Sequence, residues 1–276
     1  MTPKAFEEVR CNSLAIRVKK VEYARLSETV KIKKISENDR VGIFEIEGLY
    51  TGYGLTLGNA LRRTLLSSLP GAAITQVKIK GVEHEFSTLP GVMEDIVHIC
   101  LNLKKIRFKF FANEPQVLTL KAKGEKTVRA GDIQANSDTE VVNIDAPIAT
   151  LTAKNAEIDM ELTVEKGLGY VPLEARKAEK LPIKTVALDA IFTPVVKVDF
   201  VVENMRVGDR TDFNRLKISL ETDGTISPSS ALRKASNILK DHFDKVSAIE
   251  VLGDESAPIA PKKEAEPKKR TRKKKE

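Results

Sequence analysis

The chain has 276 residues, of which 41% are hydrophobic and 31% are charged, so it can bury a core as one large or two medium-sized domains. Its 46 Lys and Arg outnumber its 39 Asp and Glu, which gives a net charge of +7, but nine cations against five acids lie in the last 24 residues. The rest of the chain is close to neutral, which argues against a body built as a phosphate-binding surface.

Several protein classes are excluded by what the sequence lacks. No apolar run approaches the roughly 18–20 residues needed to cross a bilayer, and the first 14 residues carry acids where a signal peptide would be apolar. Two cysteines, Cys11 and Cys100, are too few for a disulfide framework, and with three histidines they form no cluster at metal-ligand spacing. The expected environment is therefore a reducing cytoplasm.

The first third of the chain predicts strands followed by a helix. Alternating runs from Leu14 to Glu47 are typical of half-buried antiparallel strands. Leucines then recur every fourth position from Leu57 to Leu69, and Pro70-Gly71 ends the helix that they predict. Because this helix is apolar on more than one side, we expect it to pack on its own sheet and on a second surface.

The middle of the chain is rich in predicted strands. Alternation resumes at Thr75, and a second helix is predicted through Met93 to Leu103. Short strands follow from about Ile106 to Lys166, and a glycine-rich turn covers residues 167–172.

The last third predicts two strands, around 195–202 and 216–220, and a third helix. Ser227 is its expected N-cap, Pro228 its first residue, and an apolar stripe runs from Ala231 to Val246. Beyond Leu252 the composition predicts disorder. The pattern indicates an α+β fold and leaves open whether the strand-rich middle is inserted into a domain made from both ends.

Two motifs invite a chemical interpretation. Gly52, Gly54 and Gly58 stand between a strand and a helix, but their spacing is one residue longer than the dinucleotide-binding fingerprint, so a tight turn is the favoured interpretation. The densest group of possible metal ligands is better explained as a polar edge, because the zinc-protease motif H-E-x-x-H is absent. That group comprises His84, Glu85, Glu94, Asp95 and His98. No acid/base or nucleophile arrangement is found, so no catalytic residue and no metal site are predicted.

Two basic features each leave two interpretations open. Arg62 and Arg63 in the first helix are either solvated side chains or contacts with a partner protein. The run from Lys268 to Lys275 is either a solvated extension or a weak, salt-sensitive and sequence-independent DNA contact.

Seven motifs stand in a fixed order across about 240 residues. The longest is GYGLTLGNALRRTLLSSLPG, and the others are GVEHEFST, GVMEDI, LNLK, GLGYVP, RTD and DGTI, at residues 52–71, 81–88, 91–96, 101–104, 167–172, 210–212 and 223–226. Together they resemble one family, the alpha subunits of bacterial-type DNA-directed RNA polymerase.

The resemblance implies a discontinuous architecture. A dimerisation domain, a sheet with two amphipathic helices, would comprise residues 1–69 and 195–252, an inserted strand-rich domain residues 70–194, and a disordered Lys-rich tail residues 253–276. The two helices would pair with those of a second copy, so an aspartate at Leu61 or Ile238 is expected to break the dimer. The family usually continues into a helical C-terminal domain, which this sequence is not expected to contain.

The resemblance also implies three contact surfaces. The dimer interface would comprise Leu57, Leu61, Leu65, Ala231, Ala235, Ile238, Leu239 and His242. Contacts with the beta subunit would fall on Arg63, Leu66, His84, Glu85, Phe86, Ser87 and Lys104. Contacts with beta-prime would fall on Leu188, Arg206, Arg210, Thr211 and Asp212.

In this family the alpha dimer assembles beta, beta-prime and omega and meets DNA through the whole enzyme. The chain has no Asp-x-Asp-x-Asp run, so catalysis and its magnesium ions are expected on the partner subunit, with no cofactor on this chain. The expected function is that of a non-catalytic assembly scaffold. The basic tail is expected to add only weak attraction to DNA.

Overall fold

The computed structural model describes residues 30–176, 184–208 and 210–249. The expected strands before residue 30 and the basic tail from 253 to 276 lie outside the described residues. The described part is a mixed α+β structure, which confirms the predicted fold class. None of its helices combines the length and the apolar composition needed to cross a membrane.

Besides one short 3-10 helix, Ala130–Asp132, the described residues contain four α-helices and fifteen strands. In chain order they are β1 (Lys31–Glu37), β2 (Val41–Leu49), α1 (Tyr53–Ser67), β3 (Pro70–Ile79), α2 (Ile96–Leu103), β4 (Phe108–Phe110), β5 (Gln116–Lys123), β6 (Lys126–Arg129), β7 (Ile133–Gln134), β8 (Thr139–Val141), β9 (Pro147–Leu151), β10 (Glu157–Leu168), β11 (Tyr170–Val171), α3 (Leu173–Arg176), β12 (Val186–Ala187), β13 (Ala190–Ile191), β14 (Val195–Val207), β15 (Arg210–Thr222) and α4 (Pro228–Ser247).

The first sheet is built from both ends of the described chain. Its strand order is β1-β2-β15-β14, and all neighbours are antiparallel. Helices α1 and α4 pack on one face, where alternate strand residues such as Phe44 and Ile218 are buried. Leu65 of α1 and Ala235 of α4 are fully buried in this layer.

Two glycines set how closely α1 approaches this sheet. A Cβ atom at Gly54 would lie 2.7 Å from Val202 Cγ1, and one at Gly58 would lie 2.7 Å from Phe200 Cδ2. Gly52, with φ 87°, is the N-cap of α1 and turns the chain from β2 into the helix. The glycine motif therefore forms a tight strand-to-helix turn, as predicted, and brings the helix backbone against β14.

The second sheet has the order β12-β3-β10-β5-β7. Helix α2 covers part of it, and the core between them is the larger one, with Val77, Ile99, Leu118 and Leu162 fully buried. The short strands form three further two-stranded sheets: β11 with β13, β4 with β8, and β6 with β9.

The two layers meet at the turn that precedes α4. The Arg107 guanidinium donates to the Ile191 carbonyl at 3.0 Å and lies 3.8 Å from an Asp223 carboxylate oxygen. Asp223 is almost buried and also accepts from the backbone and hydroxyl of Thr225. Its backbone N–H donates to the Pro194 carbonyl. An ion pair with these hydrogen bonds thus joins the layers.

Two predicted helix starts are wrong by a few residues. Helix α1 begins at Tyr53, not Leu57, because Gly52 already adopts the left-handed N-cap conformation. Helix α2 begins at Ile96, not Met93, because Asp95 caps it by accepting the His98 N–H, while Val92 pairs with Leu151.

Helix α4 begins where the sequence predicts, but the group that caps it is a different one. Ser227 is the N-cap and Pro228 the first residue, yet the Ser227 hydroxyl donates to Ser230. The free N–H of Ser229 instead donates to Glu37 at 2.8 Å. Hydrogen bonds from Ser229, and then from Lys34, lower the pKa of Glu37 to about 2. A carboxylate distant in sequence therefore caps this helix. The predicted domain boundaries stay a prediction.

We expect Gly58→Val to destabilise the protein, because the added side chain would overlap Phe200. Overpacking of this kind costs about 1–3 kcal/mol beyond any change in helix propensity. Asn59→Val is the matched control, since it places the same residue at an exposed position of the same helix. Urea unfolding of both variants measures the difference. Equal midpoints would show that α1 does not depend on this close contact.

Candidate interaction surfaces

The apolar stripe on the two long helices is only partly free for a second chain. Of the eight residues predicted at a dimer interface, Leu61, Leu65, Ala231 and Ala235 are buried in the chain's own core, with 4% exposure at most. Their side chains have no surface to offer a partner, and an aspartate at Leu61 would disrupt the fold instead of a dimer. This part of the apolar stripe is therefore covered within one chain, and these four residues are not free to contact a second copy.

The other four predicted residues lie nearer the surface. Leu57, Ile238 and Leu239 are half-buried at the edges of the core, and His242 is exposed. The His242 ring nitrogen Nδ1 lies 2.7 Å from the Ile238 carbonyl, one turn earlier in α4. These four can still contribute to an interface.

The stripe on α4 continues beyond the core that covers its first half. Ala231 and Ala235 are 0% exposed, whereas Phe243 is 64% and Val246 60% exposed. Ile249 follows with 67% exposure. The last two turns therefore present apolar side chains that nothing in the described residues covers. Periodicity shows which face of a helix is apolar but not how far the core extends along it. The predicted stripe runs to Val246 and includes Phe243, but the interface residues named from sequence end at His242.

The arginine pair of α1 is exposed. Neither the Arg62 nor the Arg63 guanidinium contacts a carboxylate within the part of the chain that the structure describes. Leu66, three residues after Arg63, is 36% exposed. An unpaired arginine beside an exposed leucine can donate paired hydrogen bonds to a partner protein.

The structure brings the other two predicted beta-contact segments together. Glu85 and Phe86 on one side and Lys104 on the other line a cavity of about 230 Å³, next to Leu101 of α2. Phe86 is 78% and Leu101 45% exposed, so the cavity opens between apolar side chains. Cys100 also lines it, and burial raises the pKa of this thiol to about 11, which keeps it protonated.

Charged groups close one side of this cavity. The Lys104 ammonium forms an ion pair with Asp189, and the Tyr170 hydroxyl donates to the same carboxylate at 3.3 Å. Burial alone would raise the pKa of Asp189. The hydrogen bond and the charge of Lys104 act in the opposite direction, and the pKa of Asp189 lies below its ordinary value. The charged head of Lys104 is therefore occupied within the chain.

Four of the five possible metal ligands noted in the sequence have partners within the chain, and the fifth, Glu85, lines the cavity beside α2. Asp95 accepts hydrogen bonds from the N–H of His98 and lies 2.7 Å from its ring nitrogen Nδ1. Glu94 accepts from the Thr150 N–H at 2.7 Å, and His84 Nδ1 lies 3.2 Å from the Ser87 hydroxyl. Within residues 30–176, 184–208 and 210–249, no group of three or more His, Cys, Asp or Glu side chains could hold a metal ion.

The predicted beta-prime residues Arg210 and Asp212 bind each other. The Arg210 guanidinium donates to both Asp212 carboxylate oxygens, at 3.0 and 2.6 Å. It also lies over the rings of Tyr50 and Phe213, at 5.0 and 5.3 Å from their centroids. The hydrogen bonds from Arg210, and then from Thr51, lower the pKa of Asp212 to about 2. Arg210 and Asp212 therefore form a brace on the surface near the turn between β14 and β15.

The brace also holds the turn that starts α1. Thr51 donates its hydroxyl to the Asp212 carboxylate at 2.8 Å, and the Gly52 N–H donates to the Asn214 side chain at 2.8 Å. Two distant sequence motifs, the glycine turn and the RTD segment, thus meet in one hydrogen-bonded unit.

The remaining predicted beta-prime residues are dispersed. Thr211 and Arg206 are exposed, and the Arg206 side chain donates to the Gly208 carbonyl at 2.8 Å. Leu188 is 4% exposed and belongs to the core of the second sheet. Its assignment as a contact is corrected, because its side chain is used for packing within the chain.

Comparison with known proteins assigns the middle of the chain to a described domain. Residues 77–193 match the family model of the RNA polymerase Rpb3/RpoA insert domain. This segment contains α2, the strands β5, β7, β10 and β12 of the second sheet, and the last three residues of β3.

The similarity to curated relatives extends over most of the chain. The DNA-directed RNA polymerase subunit alpha of Roseiflexus sp. (strain RS-1) is 50% identical over 228 residues, which are 83% of this chain and 70% of that protein. The subunit of the same name from Alkaliphilus oremlandii (strain OhILAs) is 47% identical over 230 residues, 81% of this chain and 72% of that protein. That of Symbiobacterium thermophilum is 48% identical over 210 residues, 76% of this chain and 66% of that protein.

We expect Asp212→Asn to lower the unfolding midpoint at neutral pH, because it removes the charged partner of Arg210. The pKa of Asp212 is about 2 in the folded state and about 4 in the unfolded state. The ionised carboxylate therefore stabilises the fold fully at pH values above about 4. This contribution is lost as the pH falls from about 4 to about 2. In urea titrations, the difference in unfolding midpoint between wild type and variant should be smaller at about pH 3 than at pH 7. Asp241→Asn, at an exposed position of α4, is the control, and a gap independent of pH would contradict the assignment.

Proposed function

The chain belongs to the family of DNA-directed RNA polymerase alpha subunits, and we propose that it acts as a homodimeric, non-catalytic scaffold for the large subunits of that enzyme. The observation that carries the dimeric part of this proposal is the uncovered apolar end of α4. Phe243 and Val246 continue a stripe that begins with the fully buried Ala231 and Ala235, and the exposed Ile249 follows the end of the helix.

A two-fold contact through α4 would cover this end. In such an interface the same patch on both chains is self-complementary, so one short apolar segment is used twice. Burying each exposed Phe, Val or Ile contributes about 1.5–3 kcal/mol. Leu57, Leu239 and His242, at the edge of the core, would extend the contact towards α1.

The proposed beta surface combines α1 with the cavity beside α2. Arg63 supplies an unpaired guanidinium, and Phe86 supplies an exposed aromatic ring, the two residue types that most often dominate protein interfaces. Lys104 lines the same cavity, but its ammonium is bound to Asp189. We therefore assign Lys104 to shaping the cavity and Arg63 to direct contact.

The proposed beta-prime surface is the brace of Arg210 and Asp212 together with Arg206 and Thr211. These residues are exposed and surround the turn between β14 and β15. Because Arg210 is held by Asp212 and two rings, it offers a fixed rather than a mobile cation to the partner. One copy of the chain would use this surface and the other copy the beta surface.

The chemistry of RNA synthesis is proposed to belong to the large subunits. The sequence of this chain carries no aspartate run for a pair of magnesium ions, and the two carboxylates whose pKa values fall to about 2, Glu37 and Asp212, serve a helix cap and the brace. Omega and promoter DNA would be met through the assembled enzyme.

Phe243→Asp should convert the dimer into a monomer, because each interface would acquire two unpaired carboxylates in an apolar contact. Light scattering after gel filtration should then give the mass of one 30.5 kDa chain instead of two. Lys240→Asp is the control, since it changes more charge at an exposed position of the same helix. Phe243 is already exposed, so circular dichroism should stay unchanged. A variant that remains dimeric would remove α4 from the interface.

Arg63→Ala should weaken capture of the beta subunit while leaving the dimer intact. Loss of a central interface arginine costs about 2 kcal/mol or more, or roughly 30-fold in affinity. The measurement is co-purification of beta with the tagged chain after co-expression, with Arg233→Ala on the exposed side of α4 as the control. Equal recovery of beta with both variants would contradict the assignment.

A further inference from the structure

A cleft lies where the two layers of the molecule meet. It has a volume of about 300 Å³ and is lined by the start of β3, by β4, by β10, and by the turn and first half of α4. This volume is at the lower end of the range for ligand sites in proteins. The cleft is separate from the α4 end, the cavity beside α2 and the brace near the turn between β14 and β15.

The walls of the cleft carry positive charge that the described residues compensate only in part. Of the described residues that line it, three are lysines, Lys109, Lys166 and Lys234, and none is an acid. Lys109 reaches out to Glu140 at 3.3 Å. The ammonium groups of Lys166 and Lys234 contact no carboxylate among the residues that the structure describes. Two cations are therefore left to bind an anionic group from outside.

The floor of the cleft is apolar. Phe108 is buried beneath it, Ile226 and Phe110 are partly buried, and Phe111 is 68% exposed at its side. An exposed phenylalanine next to lysines provides a contact for an apolar or aromatic side chain. The site thus offers one apolar contact between cations.

We propose that this cleft binds an acidic peptide segment of a partner protein, with one apolar side chain on Phe111 and flanking carboxylates on Lys166 and Lys234. The proposal does not rest on the scaffold function. Charge complementarity selects an anionic occupant. A peptide is favoured over a nucleic acid because the charge of the chain outside its last 24 residues is close to neutral, which does not favour the many phosphate contacts that a nucleic-acid backbone requires.

The test uses the purified chain and a fluorescein-labelled peptide in which a Leu-Phe pair is flanked by glutamates on both sides. Fluorescence anisotropy at about 50 mM salt should show saturable binding that weakens as salt rises. Lys166→Glu and Lys234→Glu should each reduce the affinity at least about tenfold, and Phe111→Ser should also reduce it. The control is Lys217→Glu, which reverses the charge of an exposed lysine on β15.

Each result decides the matter. Loss of binding confined to the cleft variants, with no competition by a peptide carrying Gln in place of Glu, would support the proposal. No saturable binding, or an equal loss with Lys217→Glu, would overturn it. So would an oligothymidylate that binds more tightly than the peptide and loses its affinity in Lys166→Glu. The lysines and Phe111 are exposed, so circular dichroism should confirm that all variants fold.

Discussion

Helix α1 lies against the first sheet at a distance that only glycine permits, and the rest of the described structure is arranged around this contact. Gly54 and Gly58 place the helix backbone on Val202 and Phe200 of β14, a strand that follows α1 by more than a hundred residues. The Asn214 side chain holds the preceding turn. The contact therefore joins the beginning and the end of the described chain in one layer. Helix α4 packs on the surface that α1 and this sheet form together.

This layer carries α1 and α4, while the second sheet carries the cavity beside α2. The two are joined where Arg107 meets Asp223, by an ion pair whose side chains are 20% and 7% exposed and by the hydrogen bond from Arg107 to the Ile191 carbonyl. An assembly subunit that must present several surfaces to different partners needs such fixed spacing. The proposed scaffold role thus depends on the junction as much as on the contact residues themselves.

Local features of this fold could be predicted from sequence, whereas those that depend on distant segments could not. Alternation located the strands, and the stripe from Ala231 to Val246 located the apolar face of α4. The sequence does not indicate that Glu37 caps α4, because Glu37 and Ser229, the residue whose N–H it accepts, are 192 positions apart. The sequence also does not show that Leu188 packs into the core of the second sheet, or that the core beneath α4 ends before Phe243. How deeply a residue is buried depends on how the layers pack together, and the periodicity of one segment does not reveal that packing.

Two copies of this chain are proposed to hold one copy of each large polymerase subunit. This stoichiometry can be measured by native mass spectrometry of the complex purified through the tagged chain from its own cells. Each particle should contain two copies of the 30.5 kDa chain with one beta and one beta-prime. A particle that contains a single copy of this chain, or the chain recovered without the large subunits, would contradict it.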